Sequence, residues 1–117
     1  SDKVIIEGDR ATTVDITTFI GGWSNYGGSR ANASYTKTFA GSRKTQLGGT
    51  VNGGTISSGQ PIFNLPVGTR PASFLRFAVA DGNAEGTIAV STSGDVTYRG
   101  GTGTEMHLES VIFDAIP

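Results

Sequence analysis

The chain has 117 residues, enough for one domain with a modest core, and it contains 36% hydrophobic residues, 18 glycines and no cysteine. Lysine and arginine number nine against ten aspartates and glutamates, so the net charge is −1 and no basic field is available to hold a nucleic acid. The lack of cysteine excludes disulfides and thiolate metal sites, and no membrane span is visible. We therefore expect neither a nucleic acid partner nor membrane insertion.

Glycine pairs separate short runs of β-branched and aromatic residues, and glycines interrupt every run with helical spacing. This pattern predicts an all-β domain over residues 21–117. Residues 1–20 are predicted to be a linker or neck strand that joins the domain to a preceding region. Within them, residues 4–6 form a short apolar run, and Val14 and Ile16 alternate with polar residues as in a half-buried strand.

The next segment, residues 22–35, is predicted to be a surface loop or an irregular sheet edge. It places Trp23 and Tyr26 among glycine, serine and asparagine, which offer few ways to bury the backbone. A strand follows, with a turn at residues 40–42, and its alternating larger side chains are Tyr35, Lys37 and Phe39.

The strand that starts at Arg43 is expected to direct one face inward, with Leu47, Gly49 and Val51 on that face. It ends at Asn52-Gly53, the dipeptide most typical of a two-residue hairpin turn. The sequence therefore predicts that the chain folds back at this point.

A hard corner between two apolar strands lies at residues 60–80. Strands are predicted over residues 61–65 and 74–80, and Pro66 and Pro71 mark where the chain leaves one pairing and enters the next. Gly68 can supply a positive φ, and Arg70 is expected to hold the corner by bonding to carbonyl groups or an acid. The side chains predicted to build the core here are Phe63, Leu65, Leu75, Phe77 and Val79.

Turns are predicted at residues 81–83 and 93–95, with strands over residues 87–90 and 96–99 and a last strand over residues 106–113. Val96 and Tyr98 are expected to face one way, and Thr97 and Arg99 the other. In total about eight short strands are expected, which indicates an antiparallel β-sandwich or jelly roll.

Catalytic constellations are mostly missing, so we expect no enzyme and no cofactor. His107 is the only histidine, and the nearest carboxylate pairs, Glu105 with Glu109 and Asp81 with Glu85, are of the kind that is usually just solvated. The glycine-rich loop at residues 100–103 matches no phosphate-binding fingerprint. In a threefold assembly His107 could supply three metal ligands on the axis, although a polar strand face is the simpler role.

The best candidates for ligand binding lie in the 22–35 segment. Trp23 could offer a flat apolar face to a sugar ring, with Tyr26 and Asn25 adding polar contacts. The structural alternative is that Trp23 caps the core or fills a subunit interface.

Three segments together resemble the C-terminal domain of bacteriophage tail fibres and receptor-binding proteins. These are G-W-x-x-Y-G at residues 22–27, the glycine-rich run at residues 47–56, and I-F-N-L-P-V-G-T-R-P at residues 62–71, whose L-P-x-G-x-R-P corner is the most specific piece. One departure is Thr69, where the family often has an aromatic residue.

The resemblance implies a homotrimeric β-sandwich at the tip of a fibre, next to the fibre shaft, in a virion assembled in the bacterial cytoplasm. It implies binding to a polysaccharide or another receptor on the host surface. The candidate site then extends to Tyr35. For an anionic receptor, further candidates are Arg30, Lys37, Arg43 and Arg76, although a solvated strand edge is the simpler role for each. Two alternatives stay open: a structural trimerisation or decoration module, and a carbohydrate-binding module of a depolymerase.

Overall fold

The structure is a computed structural model that describes residues 11–38 and 43–116. The expectations for residues 4–6, for Phe39 and for the turn at residues 40–42 lie outside the described residues. So does the first half of the 1–20 segment, residues 1–10, and the role of the segment as a connection to a preceding fibre region stays a prediction.

Two antiparallel β-sheets contain all the regular structure of the described residues. The four-stranded sheet has the order β1-β3-β4-β11, and the seven-stranded sheet has the order β2-β5-β10-β7-β8-β9-β6. The strands are β1 (Ala11–Asp15), β2 (Ser24–Asn25), β3 (Ser34–Thr38), β4 (Lys44–Gly48), β5 (Thr50–Asn52), β6 (Gln60–Asn64), β7 (Leu75–Asp81), β8 (Ala84–Val90), β9 (Asp95–Gly100), β10 (Met106–His107) and β11 (Ile112–Asp114). The predicted all-β, sandwich-like class is confirmed.

The described residues form eleven strands rather than about eight, because two predicted strands each divide between the sheets and β2 was not expected. The first division is at Gly49, between β4 and β5, and the second is at residues 108–111, between β10 and β11. The two crossings are bonded together, since the Leu108 amide donates to the Gly49 carbonyl at 2.9 Å. Buried apolar side chains fill the space between the sheets, and the largest of those that are fully buried are Phe63, Leu47, Ile62, Leu65, Ile88, Met106 and Leu108.

The corner after β6 has the predicted construction. The Nε of Arg70 donates to the Leu65 carbonyl at 2.8 Å, the Thr69 hydroxyl donates to the Pro66 carbonyl at 2.7 Å, and Gly68 has a φ of 97°. Arg70 therefore holds the corner, as expected. The predicted core residues are also confirmed, with three buried and two partly buried against the core: Phe63, Leu65, Val79, Leu75 and Phe77.

The hairpin predicted at Asn52-Gly53 is wrong. Gly53 does have a positive φ of 82°, but β5 already pairs with β2 on one edge and β10 on the other. Neither edge is left for a returning strand, and β6 pairs with β9 instead. Residues 53–59 therefore form an irregular segment, named here the 53–59 segment.

The turns predicted at residues 81–83 and 93–95 do connect paired strands, β7 with β8 and β8 with β9. Ile16 is buried, whereas Val14 is 37% exposed because β1 is an edge strand of its sheet. Val96 and Tyr98 are buried as expected, but Thr97 is buried as well. None of the described residues belongs to a helix long and apolar enough to cross a membrane.

Gly49 is the backbone position on which the crossing between the sheets depends. Its φ is 87°, and a β-carbon there would collide with the carbonyl of Asn32. We expect Gly49→Ala to lower the free energy of unfolding by about 2–4 kcal/mol, from left-handed strain and steric overlap together. Urea denaturation of the purified protein measures this change.

The matched control is Gly53→Ala. Gly53 has nearly the same φ, 82°, but a β-carbon there would meet nothing within 4 Å. It should therefore lose only the conformational part, about 1–2 kcal/mol. If the two variants lost the same free energy of unfolding, the close contact between residue 49 and the Asn32 carbonyl would not have the role assigned to it.

Candidate functional site

The residues that follow β2 are held against the seven-stranded sheet. The Tyr26 amide donates to the Thr50 carbonyl at 2.9 Å, and the Thr50 amide donates to the Ala31 carbonyl at 3.1 Å. The side-chain oxygen of Asn25 accepts from the Ala33 amide at 2.8 Å and closes the loop at its base. Residues 26–33, named here the 26–33 loop, are thus fixed in position by hydrogen bonds of the backbone.

Arg30 connects this loop to the glycine-rich segment before β10. Its Nη2 and Nε donate to Oε2 of Glu105 at 2.7 and 3.1 Å, and its guanidinium carbon lies 5.0 Å from the centre of the Tyr26 ring. Nε2 of His107 lies 2.8 Å from the same Glu105 oxygen. Nδ1 of His107 lies 3.1 Å from the Thr50 hydroxyl. The result is a continuous polar surface from an aromatic ring to an imidazole.

The charges on this surface are largely matched. The hydrogen bond from Arg30, followed by the one with His107, holds the pKa of Glu105 below its ordinary value. The same hydrogen bond, with the attraction of the Glu105 charge, raises the pKa of Arg30. Because the ion pair is open to solvent, its main effect is to fix the geometry rather than to stabilise the fold.

Asp81, at the end of β7, fixes the position of Glu105. One oxygen of its buried carboxylate accepts from the amides of Thr102 and Gly103 at 2.6 and 2.9 Å, and the other accepts from the Glu105 amide at 3.0 Å. Burial acts to raise the pKa of Asp81, but these bonds and one from the Thr102 hydroxyl together outweigh burial, and the pKa lies below its ordinary value. The carboxylate is therefore charged where it holds the loop.

Trp23 lies in the core and not on the surface of the loop. It is 3% exposed, its ring centroid is 5.9 Å from that of Tyr98, and a β-carbon on Gly54 would overlap its ring. The proposed contact of this ring with a sugar is therefore corrected in favour of the structural alternative. The physical reason is that the 53–59 segment covers the indole, which fits the slot beside Gly54.

Tyr35 and Lys37 lie on β3, in the four-stranded sheet. Tyr35 is opposite Leu47 and Lys37 is opposite Thr45, and both partners are buried. Tyr35 itself packs against the core. The structure thus brings Asn25, Tyr26 and Arg30 together and leaves these two residues on the other sheet.

His107 has partners inside the chain at both ring nitrogens, so a metal on a threefold axis would have to displace one of them. Glu109 is also near, with Oε1 3.6 Å from Nδ1. Among the described residues, no group of three or more histidine, cysteine or acidic side chains is arranged to hold a metal ion.

Sequence reasoning missed the contribution of residues 100–107 to this surface. Glu105 and Asp81 each appeared as half of a possible acid pair, and Asp81 also appeared in a predicted turn. The sequence feature that could have indicated this contribution is the glycine-rich run at residues 100–103, because the closely spaced backbone amides of such a run need a hydrogen-bond acceptor. The chain supplies that acceptor itself.

Fold and site together define a β-sandwich domain with an exposed aromatic and charged loop. No family model matches the sequence, and no curated protein matches it either. Among solved structures the chain is similar to the crystal structure of the receptor binding protein (gp15) of Listeria phage PSA, with a TM-score of 0.77 and 20% identity. The match covers 99% of this chain and 72% of that chain. The resemblance seen in the sequence is confirmed at the level of the fold.

The Asp81 carboxylate should make stability depend on pH. Because its folded pKa is lowered, its stabilisation is fully present above the ordinary pKa of 3.8 and is lost as the pH falls through the folded value. We expect Asp81→Asn to lower the free energy of unfolding at pH 7 by about 2–4 kcal/mol. The reason is that the NH₂ group of the asparagine would face backbone N–H groups, which also donate, and would leave them without an acceptor. Urea denaturation from pH 7 down to pH 2 measures both effects.

The difference between the parent protein and Asp81→Asn should shrink as the pH falls below 3.8. Asp114→Asn is the matched control, because Asp114 is exposed and its ion pair with Lys44 is the only one it forms in the described part of the chain. It should change stability by less than about 1 kcal/mol at any pH. A difference for Asp81→Asn that stays constant down to pH 2 would contradict the charged carboxylate.

Proposed function

We propose that this chain is a receptor-binding domain of a phage tail, which binds a receptor on the surface of a bacterial host without catalysis. The observation that carries the proposal is the likeness in fold to a phage receptor binding protein over 99% of the chain. The tail-fibre motifs of the sequence support the same class. Its place is the virion, at the tip of a fibre.

The receptor we propose is a glycan, bound at the 26–33 loop. Tyr26 is 39% exposed and lies under the Arg30 guanidinium, so it offers an apolar ring edged by hydrogen-bond donors. Sugars present both C–H faces and hydroxyl groups, and a ring with polar neighbours fits both. Glu105 and His107 extend the polar edge of this surface.

Catalysis is left out of the proposal because the acids near the loop already have other partners. Glu105 is shared by Arg30 and His107, and Asp81 is buried under backbone amides. Neither is placed as a free general acid or nucleophile. Shortening of a capsular polysaccharide by the purified protein would restore the depolymerase alternative.

The aromatic ring of Tyr26 should carry much of the binding. We expect Tyr26→Ala to weaken adsorption of the fluorescently labelled protein to a panel of bacterial cells by about tenfold, through loss of the stacking face and of the support for Arg30. Flow cytometry over a range of protein concentrations measures the change.

Val67→Ala is the matched control, since it also removes an exposed apolar side chain, from the corner after β6. It should leave adsorption unchanged. Unchanged adsorption in Tyr26→Ala would remove the site from the 26–33 loop. Failure of the parent protein to adsorb to any cell, with misassembled fibres on deletion of residues 21–117, would favour the structural module.

A homotrimer is also part of the proposal. Apolar side chains remain exposed on β11 and in segments outside the strands, among them Ile20, Ile56, Ile112 and Ile116. Association would bury part of this surface.

Light scattering at micromolar concentration should give three times the 12.1 kDa mass of one chain. Dilution of the sample to nanomolar concentration is the control for weak association. A mass of one chain at micromolar concentration would contradict the trimer.

A further inference from the structure

A second exposed aromatic residue, Phe74, lies on the outer face of the seven-stranded sheet, just before β7. It is 45% exposed. The guanidinium carbons of Arg99 and Arg76 lie 5.0 and 5.8 Å from the centre of its ring. These three side chains are named here the Phe74 patch.

The sheet register explains why two arginines from different strands meet. Arg76 of β7 is opposite Ala89 of β8, and Ala89 is opposite Thr97 of β9. Arg99 is two residues beyond Thr97 and donates from Nε to the Thr97 hydroxyl at 3.1 Å. Ala89 and Thr97 face outward with the arginines, yet both are buried. The patch is therefore a packed surface and not two loose side chains.

Within residues 11–38 and 43–116, the positive charge of the Phe74 patch has no partner of opposite sign. Among the described residues no carboxylate forms an ion pair with Arg76 or Arg99, whereas Arg30 and Lys44 each have one. Asp95, the acid that shares the outer face of β9, already accepts from the side chains of Asn64 and Ser93. A guanidinium carries five N–H donors, and of the ten in the patch only the Nε donor of Arg99 has an acceptor in the described part of the chain.

We propose that the Phe74 patch binds an anionic segment of a cell-surface polysaccharide, one that carries phosphate or carboxylate groups between its sugars. Guanidinium groups bind both anions through paired hydrogen bonds, and the Phe74 ring fits the apolar face of the adjoining sugar. Charge complementarity favours this occupant over a second copy of the chain, because burial under protein would leave the free N–H donors without acceptors. The inference rests on the proposed receptor-binding function and identifies the chemistry of the receptor.

Three labelled polymers test the proposal: phosphorylated dextran, polygalacturonate and neutral dextran. Fluorescence polarisation with the whole chain should show tighter binding to an anionic polymer than to neutral dextran. This preference should weaken as NaCl is raised from about 50 to about 300 mM, because salt screens the attraction between the arginines and the polymer. Phosphorylated dextran and polygalacturonate distinguish phosphate from carboxylate as the preferred anion.

The variant that tests the residues combines Arg76→Gln with Arg99→Gln. It should bind the anionic polymer about tenfold more weakly, through loss of two charge-assisted contacts. The matched control combines Arg43→Gln with Lys44→Gln, which removes the same charge next to the four-stranded sheet and should cost less than about threefold. Phe74→Ala should show a loss between these two.

Three results would overturn the proposal: equal binding to charged and neutral dextran, equal losses in the two double variants, or a change in mass of the Arg76 and Arg99 variant in light scattering. The last would show that the patch is a contact between copies. Adsorption to the bacterial panel separates the two proposals. A parent protein that adsorbs to no cell but still binds the anionic polymer through these arginines would refute the receptor role and retain the anion site.

Discussion

The carboxylate of Asp81 is the constraint on which the candidate site depends. Three backbone amides from residues 102–105 converge on it, in the way that amides of a glycine-rich loop converge on a phosphate. Here the anion is a carboxylate of the chain itself, so the conformation of the loop does not depend on a bound ligand. Its shape presents Glu105, Glu105 orients Arg30, and Arg30 lies over Tyr26. A buried charge on β7 thus fixes, through Glu105, the position of the Arg30 guanidinium over the exposed Tyr26 ring.

The sequence predicted correctly those features of the fold that depend on residues close together in the chain. The corner at residues 64–71 is an example, since its prolines, Gly68 and the bond from Arg70 to the Leu65 carbonyl all lie within a few residues. Alternation also predicted which side chains of residues 44–52 face inward. It could not predict that the strand changes sheets at Gly49, because inward-facing residues of either sheet point into the same core. The same limit applies between β10 and β11.

Trp23 shows why the site was harder to predict than the fold. Its neighbours in sequence are glycine, serine and asparagine, which are typical of an exposed loop. What buries it comes from far along the chain: Tyr98 on β9, and the space left by Gly54 and Gly103. Arg30 and Glu105 are likewise separated by 75 residues, and no spacing rule connects them. Contacts between residues so far apart in the sequence depend on the order of the strands in the sheet, and the residue pattern within a single strand gives no information about that order.

The two aromatic surfaces differ in one physical respect that suggests a division of tasks. At Tyr26 the arginine is neutralised by Glu105, so its field is short, and under the proposed function a ligand there would be selected by shape and by hydrogen bonds. At Phe74 two guanidinium groups face solvent without an acid partner among the described residues, so their attraction extends over about 8–10 Å in physiological salt. A long polymer can occupy both kinds of surface at once, and linked weak contacts raise the overall affinity well above either alone. A receptor that repeats along a bacterial surface is the kind of ligand that rewards this arrangement.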